Sequence, residues 1–374
     1  MLGTSIHMKE QIYMRQKVLS ILTIISLFII GGSLYAQGDL PYVSEDVTFT
    51  NDDIILAGTL TLPNTAAAPH PAVIVISGSG EQNRDGATEG FIEGYEPLRF
   101  LAEGLTPAGI AVLRYDERGI GGSTGEHASS TTADFATDVL AAFDYLTSRD
   151  DIDGDQIGLI GHSEGSNIVA YAAARNEDIA FVISMAGQAV NGYEVLVEQT
   201  IKGGIANGMT PEQVDAELAM NRTEWDMVLA EDWDALEAYT RERIAEFPVN
   251  QQPEPEILDM LIERQEVFAK NWFHFFMTYD PADDWRRIEV PILVIFAELD
   301  TQVTVVQNRE PFIQALEDGS NSDYKVVTLE DTNHLFQSDV ETGAPLEYMT
   351  LEPSFMPELM TLIREWVLAH ITVE

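Results

Sequence analysis

The sequence predicts an α/β fold, a mostly parallel sheet with helices on both faces and a helical cap inserted into it. Three observations carry this expectation. Short, nearly continuous apolar runs alternate with longer amphipathic segments, the pattern of strands buried on both faces and of the helices that cover them. The motif Gly161-His162-Ser163-Glu164-Gly165 stands between one such run and one such helix. A long interval, Asn191 to Asp280, contains no strand-like run.

Along the chain, Asp46 to Leu62 reads as two short strands broken at Asn51-Asp52-Asp53, a hairpin leading into the sheet. After Pro63 to Pro71 the alternation begins. Expected strands are Ala72–Ser77, Ala111–Tyr115, Ile157–Gly161, Phe181–Met185, Ile292–Phe296 and Lys325–Leu329. Expected helices are Pro97–Ala108, Ala133–Arg149, Asn167–Arg175, Val305–Leu316 and Pro357–His370. The interval 191–280 offers helical segments at Pro211–Asn221, Asp234–Ile244 and Pro255–Phe276. Its ends rejoin the sheet beside the catalytic face, which favours a cap over a separate interaction domain. Asp151-Ile152-Asp153-Gly154-Asp155 has the start of a calcium loop, but Gln156 replaces the required glycine and no glutamate closes it. It is expected to be a solvated turn. The organisation is thus a leader over 1–36, a first sheet segment over 37–190, the cap over 191–280 and a second sheet segment over 281–374.

The leader reads as an export signal. Arg15 and Lys17 precede the apolar run Val18 to Ile30, and Leu34-Tyr35-Ala36 before Gln37 offers a cleavage site. An uncleaved anchor is the alternative, because Val18 to Tyr35 is long enough to cross a bilayer. Small residues at Gly31, Gly32, Ser33 and Ala36 favour cleavage into the periplasm or medium, with no stable membrane association afterwards. The chain has no cysteine, which excludes disulfides and a lipid-anchored cysteine. Its formal net charge is −42, from 20 basic and 62 acidic residues; losing Lys9, Arg15, Lys17 and Glu10 with the leader makes it −44. Only Lys202, Lys270 and Lys325 then remain as lysines. Such a chain repels nucleic acid and anionic membranes, and its lysine depletion favours a saline setting.

A Gly-x-Ser-x-Gly between strand and helix is a nucleophile elbow, a turn so tight that small flanking residues are required and the hydroxyl is lifted clear. Ser163 meets that context. Gly121-Gly122-Ser123-Thr124-Gly125 matches the same pattern, but a polar turn precedes it and loop follows, so Ser123 fails. A serine needs a base, and the base needs a carboxylate to fix its tautomer. Of seven histidines, His334 sits just after the last core strand, where it can reach back to the elbow, while His370 lies near the end of the last helix. The ring of His162, beside the nucleophile, is expected to point away from the hydroxyl. The acid should follow the preceding core strand, where Asp300 opens a turn and Glu298 is the alternative. The oxyanion needs two amides, expected from Glu164 and from Ser79 within Ser77-Gly78-Ser79-Gly80; a merely flexible turn is the alternative there. Trp272, Phe273, Phe276 and Tyr279 in the cap are candidate pocket residues. This chemistry requires no cofactor and no metal.

These pieces resemble a bacterial α/β-hydrolase of the esterase and serine-aminopeptidase type over most of the mature chain. The resemblance is carried by Gly58-Thr59-Leu60, Ser77-Gly78-Ser79-Gly80 with Arg84-Asp85-Gly86, and Arg114 to Gly119. It continues through Gly161-His162-Ser163-Glu164-Gly165, Trp272-Phe273 to Tyr279-Asp280-Pro281, and Asn333-His334. It implies the α/β-hydrolase fold with the order Ser163, Asp300, His334. Arg118 to Ser123 resembles that family's structural loop, and Ser77 departs from the histidine found there in many lipases. The expected activity is hydrolysis of small-molecule carboxylic esters, with short acyl chains, through an acyl-enzyme. An aminopeptidase or acyl-peptide hydrolase using the same triad, with Glu224, Glu231 or Asp232 holding an amine, is the first alternative. A silent binding protein on the same fold is the second.

Overall fold

The computed structural model describes residues 42–64 and 66–373, so the expected leader lies outside the described residues. Eight strands form one sheet in the order β1-β2-β4-β3-β5-β6-β7-β8. The strands are β1 (Tyr42–Asn51), β2 (Ile54–Pro63), β3 (His70–Ile76), β4 (Ala111–Tyr115), β5 (Ile152–His162), β6 (Val182–Met185), β7 (Ile292–Ala297) and β8 (Tyr324–Leu329). β2 runs antiparallel to β1 and β4, and every pairing from β4 through β3 to β8 is parallel. The Asn51 to Ile54 hairpin turns through Asp52 at φ 50°, a left-handed conformation that aspartate tolerates.

Alternation of side chains along β3 fills both faces. Ala72, Ile74 and Ile76 join a core with the helices α2 (Thr132–Thr147), α3 (Glu164–Ala173) and α10 (Val305–Asp318). Val73 and Val75 join a second core with α1 (Pro97–Leu105) and α11 (Pro357–His370). All residues of β3, β4, β6 and β7 are buried, as strands covered on both faces must be. The connection leaving β3 runs to β4 on one side, and the connection leaving β5 runs to β6 on the other. The crevice at the carboxyl ends of β3 and β5 is therefore the switch point where such sheets place ligands.

Between β6 and β7 the chain makes α4 (Gly192–Ala206), α5 (Pro211–Leu229), α6 (Trp233–Ala245), α7 (Pro255–Phe268) and α8 (His274–Thr278), with a π-helical turn at Ala269–Phe273. The short α9 (Ala282–Trp285) returns it to the sheet. The helical insertion has a small core of its own, with Leu218, Trp225, Val228, Leu236, Phe276 and Met277.

Two local expectations need correction. The segment expected as a solvated turn at 151–155 belongs in large part to β5, which begins at Ile152 and pairs with His70 before a bulge in the register. The single helix expected over Pro255–Phe276 is broken by the π-turn, and α4 was not foreseen. Its Gly203-Gly204 pair and β-branched residues weaken the local helical signal, and packing against α5 and α8 compensates.

Candidate active site

Ser163 sits at φ 55°, ψ −121° between the end of β5 and the start of α3. Left-handed backbone is costly for a serine and persists only where the surroundings over-determine it. Here they do: a side chain at Gly161 would overlap the Gly165 carbonyl, and one at Gly165 would overlap the Ser77 carbonyl. The helix therefore presses onto two strands, and Ser163 N–H is fixed on the Met185 carbonyl at 2.9 Å. A Cβ on Gly78 would lie 3.1 Å from Ser163 Cβ, so the loop after β3 runs beside the nucleophile.

Ser123 is placed otherwise. Its hydroxyl donates to the Asp116 carbonyl at 2.7 Å and accepts from Ala57 N–H at 2.9 Å, tying its loop to β2. Asp116 itself accepts from Gly122 N–H and from Arg84. The second Gly-x-Ser-x-Gly is a structural turn.

At the end of β7, Asp300 is buried, and its Oδ1 accepts from Gln302 N–H at 2.7 Å and Val303 N–H at 2.9 Å. Its Oδ2 lies 2.7 Å from His334 Nδ1. With Nδ1–H donated to the carboxylate, Nε2 of His334 is left as an acceptor. Glu298 is exposed and accepts from Asp331 N–H at 3.1 Å, closing the strand end; of the two carboxylates, Asp300 meets the imidazole. The loop that carries His334 is braced by Asn333, whose Oδ1 accepts from Leu335 N–H and Gln337 N–H, and by Tyr95 Oη, which donates to the Leu335 carbonyl at 2.7 Å.

The His162 ring packs on the loop that carries His334. Its Nε2 donates to the His334 carbonyl at 2.8 Å, with the two rings 4.9 Å apart. Burial and then the neighbouring His334 push its pKa down to about 3, so it is a neutral donor at any working pH.

The loop 77–82 is held from several directions. Glu117 takes the Ser77 hydroxyl at 2.5 Å and Gln82 N–H at 3.2 Å, while Gln82 Nε2 donates to the Gly78 and Ser79 carbonyls at 3.1 and 3.2 Å. A trans peptide points its C=O and N–H in opposite directions, so anchoring the Gly78 carbonyl turns Ser79 N–H the other way. Glu164 N–H is one of the orphan donors at the start of α3. His127 contacts Glu117 at 3.0 Å and packs on Phe135. Burial opposes a charge on His127, but the Glu117 carboxylate outweighs it and raises the pKa above its ordinary value.

Of the pocket candidates, Trp272 reaches the elbow directly: Nε1 donates to Glu164 Oε1 at 2.7 Å. It stacks on Phe276 at 4.9 Å and 6°, with Phe268 and Phe273 alongside. Phe276 is buried in the insertion's core. Tyr279 is directed away, donating to Asp284 at 2.7 Å beside Tyr171, two turns along α3 from the elbow. The parts that sequence reasoning missed are Glu117, Gln82, Thr132 and the Glu164 carboxyl. Glu117 and Gln82 join through the loop 77–82, Thr132 bonds the Glu164 carboxyl, and only the Gln82 side chain finds its partners, the Gly78 and Ser79 carbonyls, nearby in sequence.

Residues 73–344 match the sequence model of the Alpha/beta hydrolase family, and the chain belongs to that family. Among curated proteins it is 26% identical to Esterase EstD of Thermotoga maritima over 314 residues, 83% of this chain and 66% of that protein. It is 30% identical to Putative hydrolase YtaP of Bacillus subtilis over 139 residues, 34% of this chain and 46% of the relative. The chain thus spans about half to two thirds of these relatives' lengths. The fold is shared with an esterase of Pyrococcus furiosus, at TM-score 0.54 and 16% identity, covering 92% of this chain and 96% of the other. It is shared too with a proline iminopeptidase of Mycobacterium smegmatis, at TM-score 0.51 and 17% identity, covering 87% and 98%.

Proposed function

We propose that the protein is an exported serine esterase that hydrolyses carboxylic esters with short acyl chains through an acyl-enzyme. The observation that carries this reading is the 2.7 Å contact of Asp300 with His334 beside a strained, glycine-framed Ser163. Ser163 Oγ attacks the ester carbonyl while His334 Nε2 takes its proton; the tetrahedral oxyanion rests on the N–H groups of Ser79 and Glu164. The C–O bond to the alcohol breaks, and the alcohol leaves with the proton held by His334. Water then repeats the sequence on the acyl-enzyme and releases the acid. The aromatic stack of Trp272, Phe273 and Phe276 beside the elbow bounds the acyl side and supports a short chain.

The named activity of EstD supports the esterase reading, and so does the state of the carboxylates that an aminopeptidase would need. Of the three candidates, Asp232 caps α6 on Ala235 N–H and Glu224 is bound by Gln265 inside the insertion, while Glu231 lies exposed in the turn between α5 and α6. The apolar run at 18–30 supports export. A fluorophosphonate probe should label the purified protein at Ser163, and a panel of acyl esters and aminoacyl amides should turn over fastest on acetyl to butyryl esters. No labelling supports a silent binding protein, and faster cleavage of the amides would replace the esterase reading with a peptidase.

A further inference from the structure

Glu164 is a carboxylate whose side chain bridges two separate elements at the site. It is 4% exposed and follows the nucleophile directly. Its Oε1 accepts from Thr132 Oγ1 at the head of α2 and from Trp272 Nε1 of the helical insertion, both at 2.7 Å. Ser79 is a further neighbour that favours the ionised form of this carboxylate. Trp272 itself lies in the π-turn Ala269–Phe273, an irregularity that interrupts the helical ladder and recurs at functional sites.

We propose that the Glu164 carboxylate is a positioning residue that fixes its own residue's oxyanion amide and the Trp272 contact of the insertion together, so that the insertion's seating and that amide depend on one group. This inference rests on the esterase reading above. The physical case is accounting of donors. Gln82 and Glu117 fix the carbonyls and the two ends of the loop 77–82, whereas Glu164, whose own N–H is the other oxyanion amide, is tied by its side chain to the head of α2 and to the insertion. Amide donors act on a developing oxyanion only if they are fixed before it forms. A carboxylate deep in the site is also a poor choice for stability: burial pushes the Glu164 pKa up against the pull of Thr132, Trp272 and Ser79, so the ionised form is disfavoured in the folded chain. A group that costs stability at neutral pH and sits beside the nucleophile is explained by what it positions.

The test uses the purified mature chain, a p-nitrophenyl butyrate assay and three changes that preserve volume. Glu164→Gln keeps an Oε1 that accepts from Thr132 and Trp272; Glu164→Met keeps neither bond; Trp272→Phe keeps the ring and loses the N–H. Removing an arrangement of this kind should lower kcat by about 30-fold in Glu164→Met, with Glu164→Gln within about threefold of the parent. Trp272→Phe should lower kcat about fivefold alone and less than about twofold on top of Glu164→Met, the non-additivity expected of residues acting through one group. The melting temperature of Glu164→Gln at pH 8 should be equal to or above that of the parent, which a purely structural role does not produce. Parent-like kcat in Glu164→Met, or a Trp272→Phe effect equal in both backgrounds, overturns the inference. If Glu164→Met does not fold, Glu164→Gln decides with Trp272→Phe: parent-like kcat in Trp272→Phe, or a Glu164→Gln loss as large as 30-fold, overturns it too. Fluorophosphonate labelling of the parent separates the two failures, since an unlabelled parent sinks the esterase reading and a labelled one leaves it standing.

Discussion

The sheet and the helical insertion solve burial in different ways. In β3, β4, β6 and β7 every side chain is buried, and both faces are closed by helices. In α5, a helix of 19 residues, only Val214, Leu218, Trp225 and Val228 are buried, and α7 buries Ile262 alone. The insertion meets the rest of the molecule through the Trp272 ring, which packs on a core of the sheet, through the Arg264–Glu81 ion pair at 3.0 Å, and through further polar contacts. Trp272 reaches Glu164, Gln199 reaches Gln302 at 3.3 Å in the acid loop, and the Glu194 carbonyl takes Gln307 Nε2 at 2.9 Å. The lesson is a division of labour: the sheet brings Asp300 and His334 together at its strand ends, and the insertion packs a thinner core that touches the elbow at Glu164.

The sharpest test of that division is loss of the nucleophile. Ser163→Ala should lower ester turnover by on the order of 10⁵-fold or more, while Ser123→Ala, which removes two bonds in a structural turn, should leave most of it. Comparable losses in both variants, with circular dichroism showing both folded, would move the chemistry off the elbow. Next in size is the acid: Asp300→Asn should favour the wrong tautomer of His334 and lower kcat by about 10³- to 10⁴-fold, with Glu298→Gln near the parent. A crippled Glu298→Gln and a mild Asp300→Asn would place the acid two residues earlier.

Stability should divide the same way. Phe312→Ala, at a fully buried ring packed 4.5 Å from Trp285 beside the sheet, should cost about 3–5 kcal/mol. Leu218→Ala at the thinner core of the insertion should cost about 2 kcal/mol, near the low end for such truncations. Chemical denaturation reads both, and equal costs would mean the insertion is packed as tightly as the sheet. The smallest expected effect is that of salt. With 20 basic against 62 acidic residues, repulsion felt over a Debye length of about 30 Å in dilute buffer shrinks to about 3 Å in molar salt, so the melting temperature should rise by several degrees. A flat or falling value would remove the saline reading of the composition.

What the sequence made legible was local. The hairpin, the alternating strands, the helix at Pro357–His370 and the strand-turn-helix around Ser163 each depend on residues close in the chain, and each has its place in the structure. Asp300 and His334 were readable because both follow apolar strands whose ends a parallel sheet must bring together. The network behind them was not. Trp272 and Glu164 are 108 residues apart, and Ser77 and Glu117 are 40 apart, so no periodicity joins them. The bounds of β5 were missed for a related reason: Asp153-Gly154-Asp155 reads as a turn by itself, and pairing with β3 draws it into the strand.

The two glycines of the elbow carry a consequence for descent. They are fixed by the close approach of α3 to the sheet, whereas it is the proposed chemistry that asks for a hydroxyl at Ser163. A descendant that lost its activity could exchange the serine freely, yet a side chain in place of either glycine would push the helix off the strands beneath it. Inactive cousins of this chain should therefore keep the frame and drop the centre: the Gly-x-x-x-Gly skeleton is a record of how the layers stack, and the residue in the middle is the record of whether the enzyme still works.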